Sequence, residues 1–188
     1  MFIMTNYIST NTWFLNSEIK QILYKFLNPF GINKILEIGS YEGLSACNFS
    51  DNFMFNEDSS LVCVDPFDIK DTCSPLTNKT KIYFYENIAK SKKFMKCALH
   101  IKYSRDFYLQ NTKTFNFIYI DGSHLVEDIF LDMTECLKIL EKGGIMWLDD
   151  YLGGDRIQIK KVMDDFVENN KNSVKIIWKG YQLALQKL

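Results

Sequence analysis

Five short runs rich in β-branched and aromatic residues, Lys34 to Ile38, Leu61 to Val64, Ala98 to Lys102, Phe115 to Ile120 and Gly144 to Leu148, alternate with longer stretches of helical spacing. No other feature constrains the fold as much. Short, nearly continuous apolar runs fit strands buried on both faces, and helices between them make the crossovers of a parallel sheet. The last two runs, Val174 to Trp178 and Tyr181 to Gln186, flank Lys179-Gly180 and read as an antiparallel hairpin.

Between the fourth and fifth runs, Val126, Ile129, Phe130, Met133, Leu137 and Leu140 recur at three- and four-residue steps, and Gly143-Gly144 then reads as a helix stop. Ile159, Val162, Met163, Phe166 and Val167 repeat the pattern before Asn169-Asn170. Weaker helical signals cover Ser17 to Leu27 ahead of Pro29, Leu44 to Phe53, and Ile82 to Met95. With 188 residues, 47% of them hydrophobic, the chain supports one core and a single domain spanning 1–188. The expected fold is α/β: a Rossmann-like, seven-stranded, mostly parallel sheet with a C-terminal antiparallel hairpin and helices on both faces. Residues 1–30 precede the alternation as an N-terminal helical extension. Its Trp13, Phe14, Ile19, Ile22, Leu23 and Phe26 give it an apolar face for use as a lid over the crevice or for a homodimer partner.

Twenty-two basic against 23 acidic residues, with Arg105 and Arg156 the only arginines, disfavour a dedicated nucleic-acid binder. No apolar run approaches the roughly 18 residues that span a bilayer. The five cysteines, Cys47, Cys63, Cys73, Cys97 and Cys136, are odd in number and lack C-x-x-C spacing, so reduced, mostly buried thiols are expected. The N-terminus lacks a secretory pattern, and the expected location is the cytoplasm.

In an open α/β sheet ligands bind beyond the carboxyl ends of the strands. Here those ends carry Glu37-Ile38-Gly39-Ser40-Tyr41-Glu42-Gly43, then Asp65, then Ser104 and Asp106, then Asp121-Gly122-Ser123-His124, then Asp149-Asp150. Gly39 and Gly43 permit a sharp strand-to-helix turn and close approach of a ligand to the backbone. Asp65 is placed either to accept hydrogen bonds from ribose hydroxyls or to form the turn before Pro66. Glu42 sets a carboxylate where a pyrophosphate needs free N–H groups, which argues against a dinucleotide. Glu37 adds charge suited to a cationic ligand, so a sulfonium nucleoside bearing an ammonium fits this loop better. Three carboxylates converging at Asp121, Asp149 and Asp150 repel one another unless a cation, a proton or a basic group compensates, and a hard cation such as Mg²⁺ or Mn²⁺ suits them. Alternatively, Asp150 caps the following segment and Asp149 faces solvent.

Through Ile35-Leu36-Glu37-Ile38-Gly39-Ser40-Tyr41-Glu42-Gly43, Asp65 and the terminal hairpin, residues 30–188 resemble the class I S-adenosylmethionine-dependent methyltransferases. Phe115 to His124 and Leu140 to Tyr151 are similar to a small subgroup, the metal-dependent O-methyltransferases. The resemblance implies S-adenosylmethionine bound by Glu37, Gly39, Ser40, Tyr41, Gly43, Asp65, Ser104, Asp121 and Gly122, and a divalent cation, Mg²⁺ first, on Asp121, Asp149 and Asp150. His124 stands where catechol-type relatives carry a basic lysine. An unperturbed histidine titrates near about 6.5, so His124 suits proton removal beside Asp121. Tyr119, Met146 and Trp147 read as core, Asp106 as a cap of a short helix, and Tyr151 to Gly154 as one side of an acceptor pocket.

The expected reaction is metal-assisted O-methylation of a small hydroxylated substrate such as a sugar, polyol or catechol. Alternatives are a methyltransferase of RNA or protein, with Lys90 to Lys96 the only basic cluster, and a non-catalytic nucleotide-binding or scaffold protein on the same fold. A dehydrogenase ranks last.

Overall fold

The computed structural model describes residues 7–68, 79–153 and 157–188. Cys73 and Gly154 lie outside them. The strands are β1 (Lys34–Ile38), β2 (Ser60–Val64), β3 (Cys97–His100), β4 (Phe115–Ile120), β5 (Leu140–Leu148), β6 (Val174–Lys179) and β7 (Leu183–Lys187). They form one sheet in the order β3-β2-β1-β4-β5-β7-β6. Pairings among β1 to β5 are parallel, while β7 runs antiparallel to both β5 and β6. The strand order reverses between β1 and β4, which is where such a sheet opens a crevice.

Period-two alternation divides the strands between two cores. Ile35, Leu61, Cys63, Phe117, Tyr119, Ile145 and Trp147 face the side covered by α1 (Glu18–Ile22) and α2 (Leu44–Phe53), with Phe84 of α3 (Thr80–Lys90) in the same cluster. Leu36, Ile38, Val62, Val64, Ile118, Ile120, Met146 and Leu148 face α4 (Ser104–Gln110), α5 (Val126–Ile139) and α6 (Ile157–Asn169). Helices therefore cover both faces, as expected. Cys47, Cys63 and Cys136 are buried, Cys97 is partly so, and all four are free thiols.

Several boundaries differ from the sequence reading. β5 begins at Leu140, so Gly143-Gly144 lies inside a strand and does not stop a helix. Gly143 adopts φ +76° and the β4–β5 register shifts between Phe115 and Phe117, a bulge whose left-handed glycine imitates a helix cap in sequence. α5 ends one residue earlier because Leu140 is already extended. The segment from Ser17 yields only α1, followed by a 3-10 turn at Leu23–Lys25. The segment expected to run to Met95 breaks at Ser91, whose backbone is extended. Phe130, expected on the buried stripe of α5, is 50% exposed and packs edge-on against Phe166.

Phe14, Ile19 and Leu23 pack into the sheet's own core, so the N-terminal apolar face is used within the chain. Tyr7 donates to Asp51, Thr10 donates to Glu42 through both its N–H and its hydroxyl, and Ile19 N–H donates to Gln182. No helix among the described residues is long and apolar enough to cross a membrane.

Candidate active site

The turn out of β1 holds three left-handed residues in five positions: Gly39 at φ +84°, Tyr41 at +47° and Gly43 at +79°. At Gly39 a Cβ would sit 2.0 Å from the carbonyl oxygen of Asp121, so the missing side chain lets the ends of β1 and β4 close together. Asp65 stitches the turn to β2. Its Oδ2 accepts the N–H groups of Ser40 (2.9 Å) and Tyr41 (2.8 Å), and its Oδ1 accepts that of Phe67 (2.7 Å). Asp65 therefore forms the turn and also borders a cavity of about 610 Å³, along with Gly39, Ser40, Tyr41, Ser104, Asp121, Gly122, His124, Asp149 and Asp150.

Two residues expected on that wall lie elsewhere. Gly43 opens α2, and a Cβ there would meet the Phe84 ring at 2.8 Å. Glu37 is fully buried beneath the turn, where Oε2 accepts the Ser40 hydroxyl at 2.5 Å and Oε1 has no hydrogen-bond partner. Burial raises its pKa to about 7, against the lowering influence of Ser40, Ser45 and Cys63. Glu37 lies below the loop, outside the cavity's lining. Asp106 lies in the first turn of α4, whose N-cap is Tyr103.

The acid end depends on strand parity. Tyr119 and Asp121 lie on the same side of β4, and Tyr119 pairs in register with Trp147 of β5, which places Asp149 beside Asp121. The Tyr119 hydroxyl, read as core in the sequence, reaches Oδ2 of Asp149 at 2.6 Å and Oδ2 of Asp121 at 3.2 Å. Oδ1 of Asp149 accepts the N–H of Asp150 at 2.7 Å. Asp150 adopts φ +58°, a conformation costly for a residue with a side chain. It turns its carboxylate to Nε2 of His124 (2.8 Å) and to the Tyr181 hydroxyl (2.8 Å). His124 Nδ1 is buried and has no hydrogen-bond partner. One ligand atom each from Asp121, His124 and Asp150 falls within 4.8 Å of the others. Asp149, the third acid expected to hold a cation, lines the same cavity and accepts hydrogen bonds from Tyr119 and the Asp150 N–H. Poor solvation, reinforced by Asp149 and Asp150, pushes the Asp121 carboxyl well above the usual carboxylate range.

The sequence reading missed other wall residues. Asp132 of α5, 2% exposed, takes the Tyr108 hydroxyl at 3.0 Å, and burial raises its pKa to about 6. Its signal was legible as an acid on the apolar stripe of Ile129, Met133 and Cys136. Tyr181 joins the wall from the hairpin turn, a tertiary contact that leaves no local pattern, whereas Trp13 and Phe14, named in the sequence on the N-terminal apolar face, border the cavity with the Trp13 and Tyr41 ring centroids 5.8 Å apart.

A seven-stranded sheet of this order, with an acid-rich crevice at its switch point and a glycine turn tied to an acid after β2, is an open, Rossmann-like α/β fold of the type that takes nucleotide ligands at that crevice. Residues 36–151 match the model of a methyltransferase domain, and the chain belongs to that family. Its fold is similar to that of the O-methyltransferase TomG from Streptomyces achromogenes, involved in tomaymycin synthesis and solved with S-adenosylmethionine. That match has TM-score 0.66 and 16% identity over 90% of this chain and 78% of that one. An O-methyltransferase from Bacillus cereus in complex with S-adenosylhomocysteine gives TM-score 0.66 and 15% identity, covering 98% and 84%. An rRNA methylase from Streptococcus thermophilus gives TM-score 0.66 and 9% identity, covering 90% and 93%. No curated protein sequence shows a significant match.

Proposed function

We propose that the protein methylates a hydroxyl of a small polyhydroxylated molecule, a sugar, another polyol or a catechol, with a divalent cation, Mg²⁺ or Mn²⁺, bound beside the methyl donor. One observation carries this reading: the ligand atoms of Asp121, His124 and Asp150 converge on the same cavity that the Gly39 turn and Asp65 border. The donor set fits such a cation. The 2.8 Å between Nε2 of His124 and Oδ2 of Asp150 matches neighbouring ligands each about 2.1 Å from one ion.

When bound, the donor supplies an electrophilic methyl group and the cation lowers the pKa of the acceptor hydroxyl. The chain supplies position. The turn Gly39 to Tyr41 would hold the donor at the end of β1, Asp65, already accepting three N–H groups, would offer its remaining lone pair to the ribose, and Ser104 would border the adenine. Asp121, Asp150 and His124 would hold the cation that positions the acceptor in line with the methyl carbon. With its pKa lowered there, the hydroxyl would give its proton to solvent in the cavity as the oxygen attacks. Trp13 and Phe14 help to exclude water.

An RNA substrate calls for a basic rim. Among the described cavity-wall residues Arg105 is the only lysine or arginine, and it pairs with Asp128 at 2.9 Å. In the Lys90 to Lys96 cluster, Lys93 and Lys96 pair with Glu57. The test is mass-spectrometric detection of methyl transfer from S-adenosylmethionine over a panel of sugars, polyols and catechols, with Mg²⁺ or Mn²⁺ and with chelator. A metal-dependent methyl ether is expected. Turnover unaffected by chelator would remove the cation from the account, and methylation of RNA alone would replace the small acceptor.

A further inference from the structure

The geometry points to Glu42 as a positioning residue that, through Thr10, holds Trp13 against the cavity as part of the acceptor wall. This rests on the acceptor site proposed above and goes beyond it by naming what sets that wall.

Trp13 is 59% exposed, so its own burial fixes it only weakly, and the chain on either side must do the rest. On one side Phe14 sits in the core, edge-on to Phe49 with ring centroids 6.3 Å apart. On the other, the N–H and the hydroxyl of Thr10 donate to the two oxygens of Glu42, at 2.9 Å and 2.7 Å. The Thr10 hydroxyl, its proton given to Glu42, is placed to accept that of Tyr41 at 3.3 Å. Between these anchors Asn11 closes a short turn, its Oδ1 accepting the Trp13 N–H at 3.1 Å. Glu42 itself is 2% exposed. A carboxylate so buried needs donors, and among the described residues both of its hydrogen bonds come from Thr10. Asn87 of α3, 0% exposed, secures the same junction. Its Nδ2 donates to the carbonyls of Ile8 and Glu42, and its Oδ1 accepts the Ile8 N–H, each at 2.8 Å. Residues 8–10 thus dock on a polar seat made by the β1 turn and α3. Undocking them would leave the Glu42 carboxylate unpaired on the cavity wall, which favours the docked state. Because Glu42 directly follows Tyr41, whose ring meets that of Trp13 at 5.8 Å, the turn proposed to hold the donor also sets the acceptor wall.

The test is acrylamide quenching of Trp13 fluorescence in the wild type, Glu42→Ala, Glu42→Gln and Thr10→Val, each with its Trp13→Phe counterpart as the blank. Thermal melts verify that each is folded. Glu42→Ala should raise the Trp13 quenching constant toward that of a free indole. Glu42→Gln should restore most of the wild-type value, since its amide still accepts the Thr10 N–H and can donate to the Thr10 hydroxyl. Kinetics give the second readout. Glu42→Ala should raise the acceptor KM by roughly tenfold, with a smaller change in kcat, and should add little in a Trp13→Ala background. Thr10→Val removes only the hydroxyl, should move both readouts the same way by less, and replaces Glu42→Ala if that variant does not fold. Unchanged quenching in folded Glu42→Ala, or in Thr10→Val where it stands in, overturns the inference and leaves the proposed function in place. A KM effect that adds in full to that of Trp13→Ala does the same. A wild type that methylates no hydroxylated acceptor overturns the proposed function and the wall's role together.

Discussion

Oδ2 of Asp150 lies 2.8 Å from Nε2 of His124, while its other oxygen takes the Tyr181 hydroxyl at the same distance. One strained residue therefore orients the histidine from the end of β5 and ties the C-terminal hairpin to the site. If this pair helps to hold the cation, His124→Ala and Asp150→Asn should each lower metal affinity and activity by roughly 10- to 100-fold. Affinity for S-adenosylmethionine should stay near that of the wild type. A variant that loses donor affinity and keeps kcat would place His124 in the nucleoside pocket instead.

Gly39 should not tolerate alanine. The new Cβ would meet the Asp121 backbone at 2.0 Å in a left-handed conformation, so either β1 or β4 must shift. Overpacking and backbone strain together suggest a loss of roughly 3 kcal/mol in stability. Donor binding should disappear even where the variant folds. Thermal melts with and without S-adenosylmethionine check both.

Glu37 should make stability depend on pH. Its folded pKa is about 7, raised from 4.5 by burial. Between those values the folded protein keeps a proton that the unfolded chain releases, so stability is highest below about 4.5 and declines as pH rises through about 7. This contribution is worth up to roughly 3 kcal/mol. Glu37→Gln should therefore gain stability relative to the wild type at pH 8 compared with pH 5. Equal differences at both values would show that Glu37 titrates normally.

Trp13 is 59% exposed, yet it borders the cavity beside Tyr41. Trp13→Ala should raise the acceptor KM by roughly tenfold with a smaller change in donor affinity, since it removes one wall and reaches the Asp65 turn only through the Tyr41 ring. A matching loss of donor affinity would place Trp13 over the nucleoside.

The parallel sheet, the crossover helices and the hairpin were legible because strands buried on both faces must be short apolar runs. The acids at the strand ends were legible for the same reason, since Asp65, Asp121 and Asp149 each interrupt such a run. Other features depend on the third dimension. Tyr119 looked like core because its ring is core, and only its i, i+2 relation to Asp121 hinted at the hydroxyl's partners. Glu37, read as a ligand contact from its place in the motif, points beneath the turn because strand parity sends it to the face that α2 covers. Gly143 imitated a helix cap because left-handed glycine ends helices and makes bulges alike. The walls built by Trp13, Phe14 and Tyr181 come from segments far apart in sequence, joined through Gln182 and Glu18, whose carboxylate accepts the Gln182 N–H at 3.0 Å.

The most direct test is calorimetric titration of the purified, chelator-treated protein with S-adenosylmethionine, with NADH as the control. The account predicts saturable, one-to-one binding of S-adenosylmethionine, lost in Gly39→Ala, and no binding of NADH. A folded protein that gives no heat with S-adenosylmethionine, or that binds NADH equally well, would contradict it.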